Sequence, residues 1–350
     1  MSRKFVLLGN VDHGKSTLAG RILLNIGDIE EREVTKMKME AEKKNMQSWY
    51  LAYLMDTDDI EREKGKTVDY IFKDIKWKDN EMTIVDVPGH KTYVPHMTNG
   101  CSMANIAVLI ISARKGEYEA GIKGQTMEHV VIARGMGIST LIVVVNKMDT
   151  IEWDIETYNK IKTNFEKKVK KLRYKQIQFI PVSAYNGDNV TELNETATKL
   201  GIKESLMDMI SNIEYVEPNN VELPTNKSYI INTKFLYYNI PKIITSGLSC
   251  ILHSKDKCYS GTIVGFYNDG KPFINDGNNP KQPVDTLIQL HDNPPTIYSN
   301  LIIRLGDETI GLARVVDNDK INPILIGKKK KIIIENIKKV EEAKKKKLNC

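Results

Sequence analysis

"KFVLLGNVDHGKSTLAGRILL", residues 4–24, sets a short apolar run against a glycine-bearing turn and then a mixed segment able to form a helix. The turn, Gly9 to Thr17, has the form G-x-x-x-x-G-K-[ST]. Its glycines let backbone N–H groups converge on a phosphate, Lys15 brings a cation to the outer phosphates, and Ser16 offers a hydroxyl to Mg²⁺. Asn10, Val11, Asp12, His13, Gly14 and Thr17 fill out the loop and are candidate nucleotide contacts with it.

Working outward, four further apolar runs repeat the opening one: "MTIVDV" (82–87), "IAVLIISA" (106–113), "TLIVVVNK" (140–147) and "IQFIPVSA" (177–184). Each is followed by a longer mixed segment. Buried parallel strands with crossover helices produce this rhythm, so residues 1–216 read as a doubly wound α/β domain with a mostly parallel sheet. Such sheets bind ligands beyond the carboxyl ends of their strands, which is where every motif below falls.

"NKMD", residues 146–149, follows "LIVVV" and selects the base. A fixed carboxylate at Asp149 accepts two N–H donors from a guanine edge, whereas adenine would set an acceptor against a buried charge. Asn146 would brace loop and base, Lys147 would lay its stem along the ring, and the "SA" at Ser183 and Ala184 would supply a backbone N–H to the guanine oxygen, with Tyr185 beside them as a further nucleotide contact. In "DVPGHKTYV", residues 86–94, Asp86 of a D-x-x-G turn would hold magnesium through water, and the Gly89 N–H would bond the γ-phosphate. Thr67, in "REKGKTVDY", would complete the magnesium shell with Ser16 and Asp86. Loss of the last phosphate would release both loops, an order-to-disorder switch.

Length and composition agree with this. A chain of 350 residues, 41% hydrophobic, can bury a real core and divide into more than one domain. No signal-like segment or run of eighteen apolar residues is present, so a soluble, cytoplasmic protein is expected. The cysteines, Cys101, Cys250, Cys258 and Cys350, lack metal-ligand spacing and read as reduced thiols. The net charge of +6 is concentrated: residues 328–347 carry ten lysines and three glutamates, leaving the rest near neutral.

Together "GNVDHGKST", "DVPGHKTYV", "GQTMEHVVIARGMG", "NKMD" and "FIPVSAYNGDN" resemble the translational GTPases of the elongation factor Tu and elongation factor 1-alpha class. The segment "KNMQSWYLAYLMDTDDIEREKGKTVDY" is similar to the switch region of the release-factor and ribosome-rescue GTPases, while "SAYNGDN" leans toward the elongation factors, so the branch stays open. The resemblance implies a P-loop GTPase domain, GTP/GDP and Mg²⁺ as ligands, and a ribosome as activator. It implies that His90, after the D-x-x-G glycine, orients the attacking water, although a histidine there could also merely pack or cap the next helix. It links Asp12 to a monovalent cation and Val11 to one side of an apolar gate whose other side is Lys66 here. Related switch GTPases hydrolyse at about 10⁻⁴ s⁻¹ without an activator, so slow intrinsic turnover is expected.

The second half reads differently. After a linker over 217–227, the segments "SYIINTKFLYY", "GLSCILHS", "TIVGFYNDGKPFIND", "VDTLIQLHD" and "SNLIIRLGDETIGLARVVD" alternate apolar and polar residues between turn residues. They indicate one small antiparallel β-barrel over 228–317. It resembles the third domain of the family, and the linker is too short for the family's middle barrel. That absence argues against aminoacyl-tRNA delivery and leaves a release-factor-like, tRNA-shaped protein as a partner. The Lys-rich tail, 318–350, reads either as an RNA-tracking arm or as a solvated end; no membrane role and a monomer are expected. A competing reading is a nucleotide-switched binding module that sequesters a release-factor-like or other partner with little turnover.

Overall fold

The computed structural model describes residues 3–43, 49–55, 71–89, 93–123, 125–214, 230–237, 248–254, 258–268, 271–272, 284–290, 300–306 and 308–316. Thr67, Lys66, His90 and the tail lie outside the described residues. The chain divides into two compact units, residues 1–217 and 218–350.

The first unit is built on a six-stranded sheet in the order β2-β3-β1-β4-β5-β6. Its strands are β1 (Arg3–Leu8), β2 (Ile71–Trp77), β3 (Asn80–Asp86), β4 (Ile106–Ser112), β5 (Thr140–Asn146) and β6 (Gln176–Pro181). All neighbours are parallel except β2 and β3, which pair antiparallel from Ile71↔Asp86 to Trp77↔Asn80. Every residue of β4 and β5 is buried, as a parallel strand covered on both faces requires. Five of these strands coincide with the apolar runs. The sixth, β2, has no such run because it lies at the sheet edge, with only Ile75 fully buried among charged neighbours.

Helices α1 (Lys15–Asn25), α2 (Glu31–Lys43), α3 (Tyr50–Tyr53), α4 (Val94–Met103), α5 (Glu117–Lys123), α6 (Gln125–Gly135), α7 (Ile155–Val169), α8 (Glu195–Lys199) and α9 (Leu206–Asn212) accompany it. Local chemistry fixes several starts. Asp154 accepts the N–H groups of Glu156 and Thr157 at the head of α7, and Asn194 and Ser205 cap α8 and α9. Phe5, Leu7, Leu18, Ile22, Val108, Ile142 and Ile180 share one buried cluster, so α1 packs directly on the central strands. The order reverses at β1, whose neighbours are β3 on one side and β4 on the other. That switch point opens the crevice into which the loops project.

The second unit contains β7 (Ile230–Tyr237), β8 (Ser249–His253), β9 (Cys258–Asn268), β10 (Lys271–Pro272), β11 (Val284–Leu290), β12 (Asn300–Leu305) and β13 (Glu308–Val316). The order is β10-β9-β11-β7-β13-β12-β8, and β8 also pairs with β9. This last pairing, from Ser249↔Thr262 to His253↔Cys258, closes six antiparallel strands into a ring, with β10 as a short appendage of β9. Leu252, Ile263, Ile288, Leu301, Ile303 and Ile310 fill the inside. The β12–β13 hairpin turns at Gly306, whose φ of 58° suits glycine.

A candidate nucleotide site at the strand ends

The loop after β1 bends at two glycines. Gly9 has φ 146°, and a Cβ there would fall 2.4 Å from the Ile110 carbonyl oxygen; Gly14 has φ 93°, and a Cβ would fall 2.4 Å from Asn146 Nδ2. Neither position admits a side chain without movement. Between them Asp12 is exposed at φ 65°, and Asn10 and Val11 are partly buried. Lys15 opens α1 with only 7% of its surface exposed, and its Nζ donates to the Asn10 carbonyl at 3.0 Å. Burial pulls its pKa down, opposed by the charges of Asp86 and Asp12. Among the described residues this is the hydrogen bond of the buried ammonium, which has donors to spare for an anion.

The next residue, Ser16, faces the end of β3. Ser16 Oγ donates to Asp86 Oδ2 at 3.1 Å, and the Asp86 side chain is fully buried. A hydroxyl beside a carboxylate is a hard-oxygen donor pair of the kind Mg²⁺ takes, so these two residues fit the ion. Thr17 is partly buried one position on. Gly89 lies close by: a Cβ there would come 2.3 Å from Lys15 Nζ and 3.0 Å from the Gly9 carbonyl oxygen. The phosphate loop and the D-x-x-G turn are therefore in contact. Thr67 and His90, expected to join this end, cannot be placed because they fall outside the described residues.

Asn146 joins the other loops. Its Nδ2 donates to the His13 carbonyl at 2.9 Å, and its Oδ1 accepts the Ala184 N–H at 2.9 Å, all within a 2% exposed side chain. One amide thereby ties the phosphate loop to the loop after β6. Lys147 takes a left-handed φ of 62°, and its Nζ pairs with Glu117 Oε2 at 2.7 Å. The same oxygen accepts Ser112 Oγ at 2.7 Å, and Arg114 meets the other carboxylate oxygen at 3.2 Å. Desolvation would raise the Glu117 pKa, but the hydrogen bonds from Lys147 and Ser112 and the nearby cations bring it below the ordinary value. Asp149, half-buried in the 3₁₀ turn Met148–Ile151, makes no side-chain hydrogen bond among the described residues.

The backbone donors of the loop after β6 are engaged to different degrees. The Ser183 N–H donates to the Asp188 carbonyl at 3.3 Å and the Ala184 N–H to Asn146. Among the described residues the N–H of Tyr185, which is 47% exposed, donates to nothing. It is the donor left for a ligand.

Two buried histidines support the phosphate loop. His13 sets Nδ1 3.3 Å from the Ile110 carbonyl oxygen and Nε2 3.3 Å from that of Glu117, and burial lowers its pKa. His129, on α6, accepts the Gly9 N–H on Nδ1 at 3.2 Å; burial first, then the charges of Lys15 and His13, push its pKa down to about 3. Neither His129 nor Glu117 stands out in the sequence as a site residue. Their motifs, "GQTMEH" and "RKGEYE", show polar residues near strand ends but not the loops they reach.

A sequence model of the elongation factor Tu GTP-binding domain matches residues 1–213. This chain belongs to that family. Within it, elongation factor 1-alpha of Hyperthermus butylicus is 45% identical over 193 residues, covering 53% of this chain and 44% of that protein. The GTP-binding subunit of the eukaryotic peptide chain release factor from Schizosaccharomyces pombe is 44% identical over 195 residues, covering 53% and 30%. The chain thus spans less than half the length of these curated relatives. Among solved structures, the Saccharomyces cerevisiae Ski7 GTPase-like domain bound to GTP superposes with a TM-score of 0.69 at 14% identity, covering 90% of this chain and 97% of that one. A bacterial selenocysteine-specific elongation factor gives 0.60 at 16%, covering 96% and 62%. The family match covers the GTP-binding domain, and the solved structures share the fold of a GTPase domain with a separate small barrel. Among the described residues no helix is long and apolar enough to cross a membrane.

Proposed function

We propose that this protein is a cytoplasmic, GTP-hydrolysing translation factor that acts on or near the ribosome. The observation that carries the reading is Asn146, whose one side chain fastens the phosphate loop to the loop of Ser183–Tyr185 and so fixes both ends of a guanine-nucleotide site at once. Lys15 and the backbone of Asn10 to Thr17 bind phosphates, Asp149 and Asn146 read guanine, Lys147 lies along the base, and Gly89 senses the last phosphate. Ser16, Asp86 and Thr67 hold the magnesium ion, which supplies charge neutralisation to the phosphates when bound. His90 orients water, and Asp12 sits near a monovalent cation.

The partner is a ribosome together with a release-factor-like, tRNA-shaped protein. Fifteen residues, 215–229, separate the last described residue of the first unit from β7, too few for a second barrel, which disfavours aminoacyl-tRNA delivery. That same feature supports a second reading, a nucleotide-switched module that holds its partner with little turnover. Adding ribosomes to the purified chain separates them. The first reading expects GTP hydrolysis to rise by orders of magnitude in wild type and not in His90→Ala. No stimulation, with partner affinity still set by GTP against GDP, would leave the second.

A further inference from the structure

Arg21 belongs to α1 but reaches the loop after β6. Its Nε donates to the Ala184 carbonyl at 3.1 Å, and its Nη2 donates to the Tyr185 carbonyl. The partly buried stem runs beside Gly187, where a Cβ would lie 3.3 Å from Arg21 Cδ. One turn further along, Asn25 Nδ2 donates to Thr191 Oγ1 at 3.0 Å, so the same helix face grips the segment after β6 twice. A guanidinium presents its donors in a fixed planar fork, and here the fork spans two consecutive carbonyls.

The consequence follows from peptide geometry. The Ala184 carbonyl and the Tyr185 N–H are parts of one planar trans peptide and point in opposite directions. Arg21 draws the carbonyl toward α1, and the Ala184 N–H on the preceding unit is already held by Asn146. With both flanking groups fixed, the direction of the Tyr185 N–H is set, and it is the N–H of this tripeptide that donates to nothing among the described residues. We infer that Arg21 is a positioning residue for guanine recognition, which aims the Tyr185 N–H at the six-position oxygen of the base through the Ala184–Tyr185 peptide. Six residues and about 9 Å of helical rise separate it from Lys15. One helix therefore carries the phosphate cation at its head and the brace of the base-reading loop further along.

The inference rests on the guanine-nucleotide reading, and three nucleotides make the two separable. GDP and IDP both carry the six-position oxygen, IDP lacking only the two-amino group that Asp149 would accept. 6-Thioguanosine diphosphate keeps the amino group and replaces the oxygen with sulfur, a weak acceptor. Affinities of the full chain would be measured by displacement of a fluorescent nucleotide, with the thermal midpoint of the nucleotide-free protein recorded alongside. Arg21→Ala is expected to weaken GDP and IDP by the same factor, about three- to tenfold for one misdirected hydrogen bond, and 6-thioguanosine diphosphate by clearly less. Arg21→Lys, which keeps the charge but not the fork, should fall between and keeps the test readable if the alanine variant does not fold. An unchanged GDP affinity, or an equal loss for all three nucleotides, would overturn the inference while leaving the nucleotide reading intact. A wild-type chain with no preference for GDP over ADP would overturn both.

Discussion

Replacing Asn146 with alanine removes two hydrogen bonds of 2.9 Å and leaves the His13 carbonyl and the Ala184 N–H without them, in surroundings where His13 is 2% and Ala184 1% exposed. A hydrogen bond contributes about 1 kcal/mol net, and a buried group left unsatisfied costs about 1–3 kcal/mol. With two groups left unsatisfied, the sum for Asn146→Ala is about 2–6 kcal/mol. For a unit of this size each kcal/mol moves the thermal midpoint by about 2–4 °C, so a fall of about 4–24 °C is expected in the nucleotide-free chain. Because the two broken contacts belong to loops on either side of the crevice, GDP dissociation should also quicken by at least tenfold. Asn146→Asp sharpens the test. Its carboxylate can still accept the Ala184 N–H but sets an oxygen against the His13 carbonyl, so it should fare no better than alanine despite its matching shape. Differential scanning calorimetry and stopped-flow release of a fluorescent GDP measure the two effects. A midpoint within 2 °C of wild type and an unchanged release rate for Asn146→Ala would refute the claim that this amide ties the loops.

Two further outcomes test other parts of the site. Gly14→Ala forces an L-residue to φ 93° and drives its Cβ against Asn146 Nδ2, so it should cost about 1–3 kcal/mol in urea unfolding and remove measurable nucleotide binding by equilibrium titration. His129 stays neutral in the folded chain down to about pH 3, whereas an unfolded histidine takes its proton near pH 6.5. Stability from this depressed value is present above pH 6.5 and is lost as pH falls, by about 2 kcal/mol between pH 7.5 and pH 5. Urea midpoints at the two pH values should show this for wild type and a shallower drop for His129→Asn, which retains an acceptor for the Gly9 N–H.

Much of this architecture could be read before any coordinates. The runs around Phe5, Ile84, Leu109, Val143 and Ile180 announced β1, β3, β4, β5 and β6 because central parallel strands exclude polar side chains from both faces. The barrel strands were equally visible, since alternation and turn residues both survive in "NLIIRLGDETIGLARVV". β2 escaped because an edge strand with one fully buried residue carries no comparable pattern. Lys15, Ser16, Asp86, Gly89, Asn146 and Asp149 announced themselves through spacing, which is local. Arg21, Glu117 and His129 did not. Their partners lie 163, 30 and 120 residues away, and nothing in the immediate sequence of an arginine on a helix says which carbonyl it will meet. The same limit applied to Tyr185: which N–H of three consecutive residues remains for a ligand depends on where Asn146 points.

The pairing of β8 with both β9 and β12 leaves each of the six ring strands flanked on both sides. A closed ring offers no open row of amides to a neighbouring molecule, so crowding and concentration have little to act on there. In the first unit the outer margin at β2 carries Lys73, Asp74 and Lys76 exposed, and like-signed lysines on two such margins would repel as they approached. Among the described residues, the ring and the β2 margin should therefore resist strand addition by a second copy of the chain.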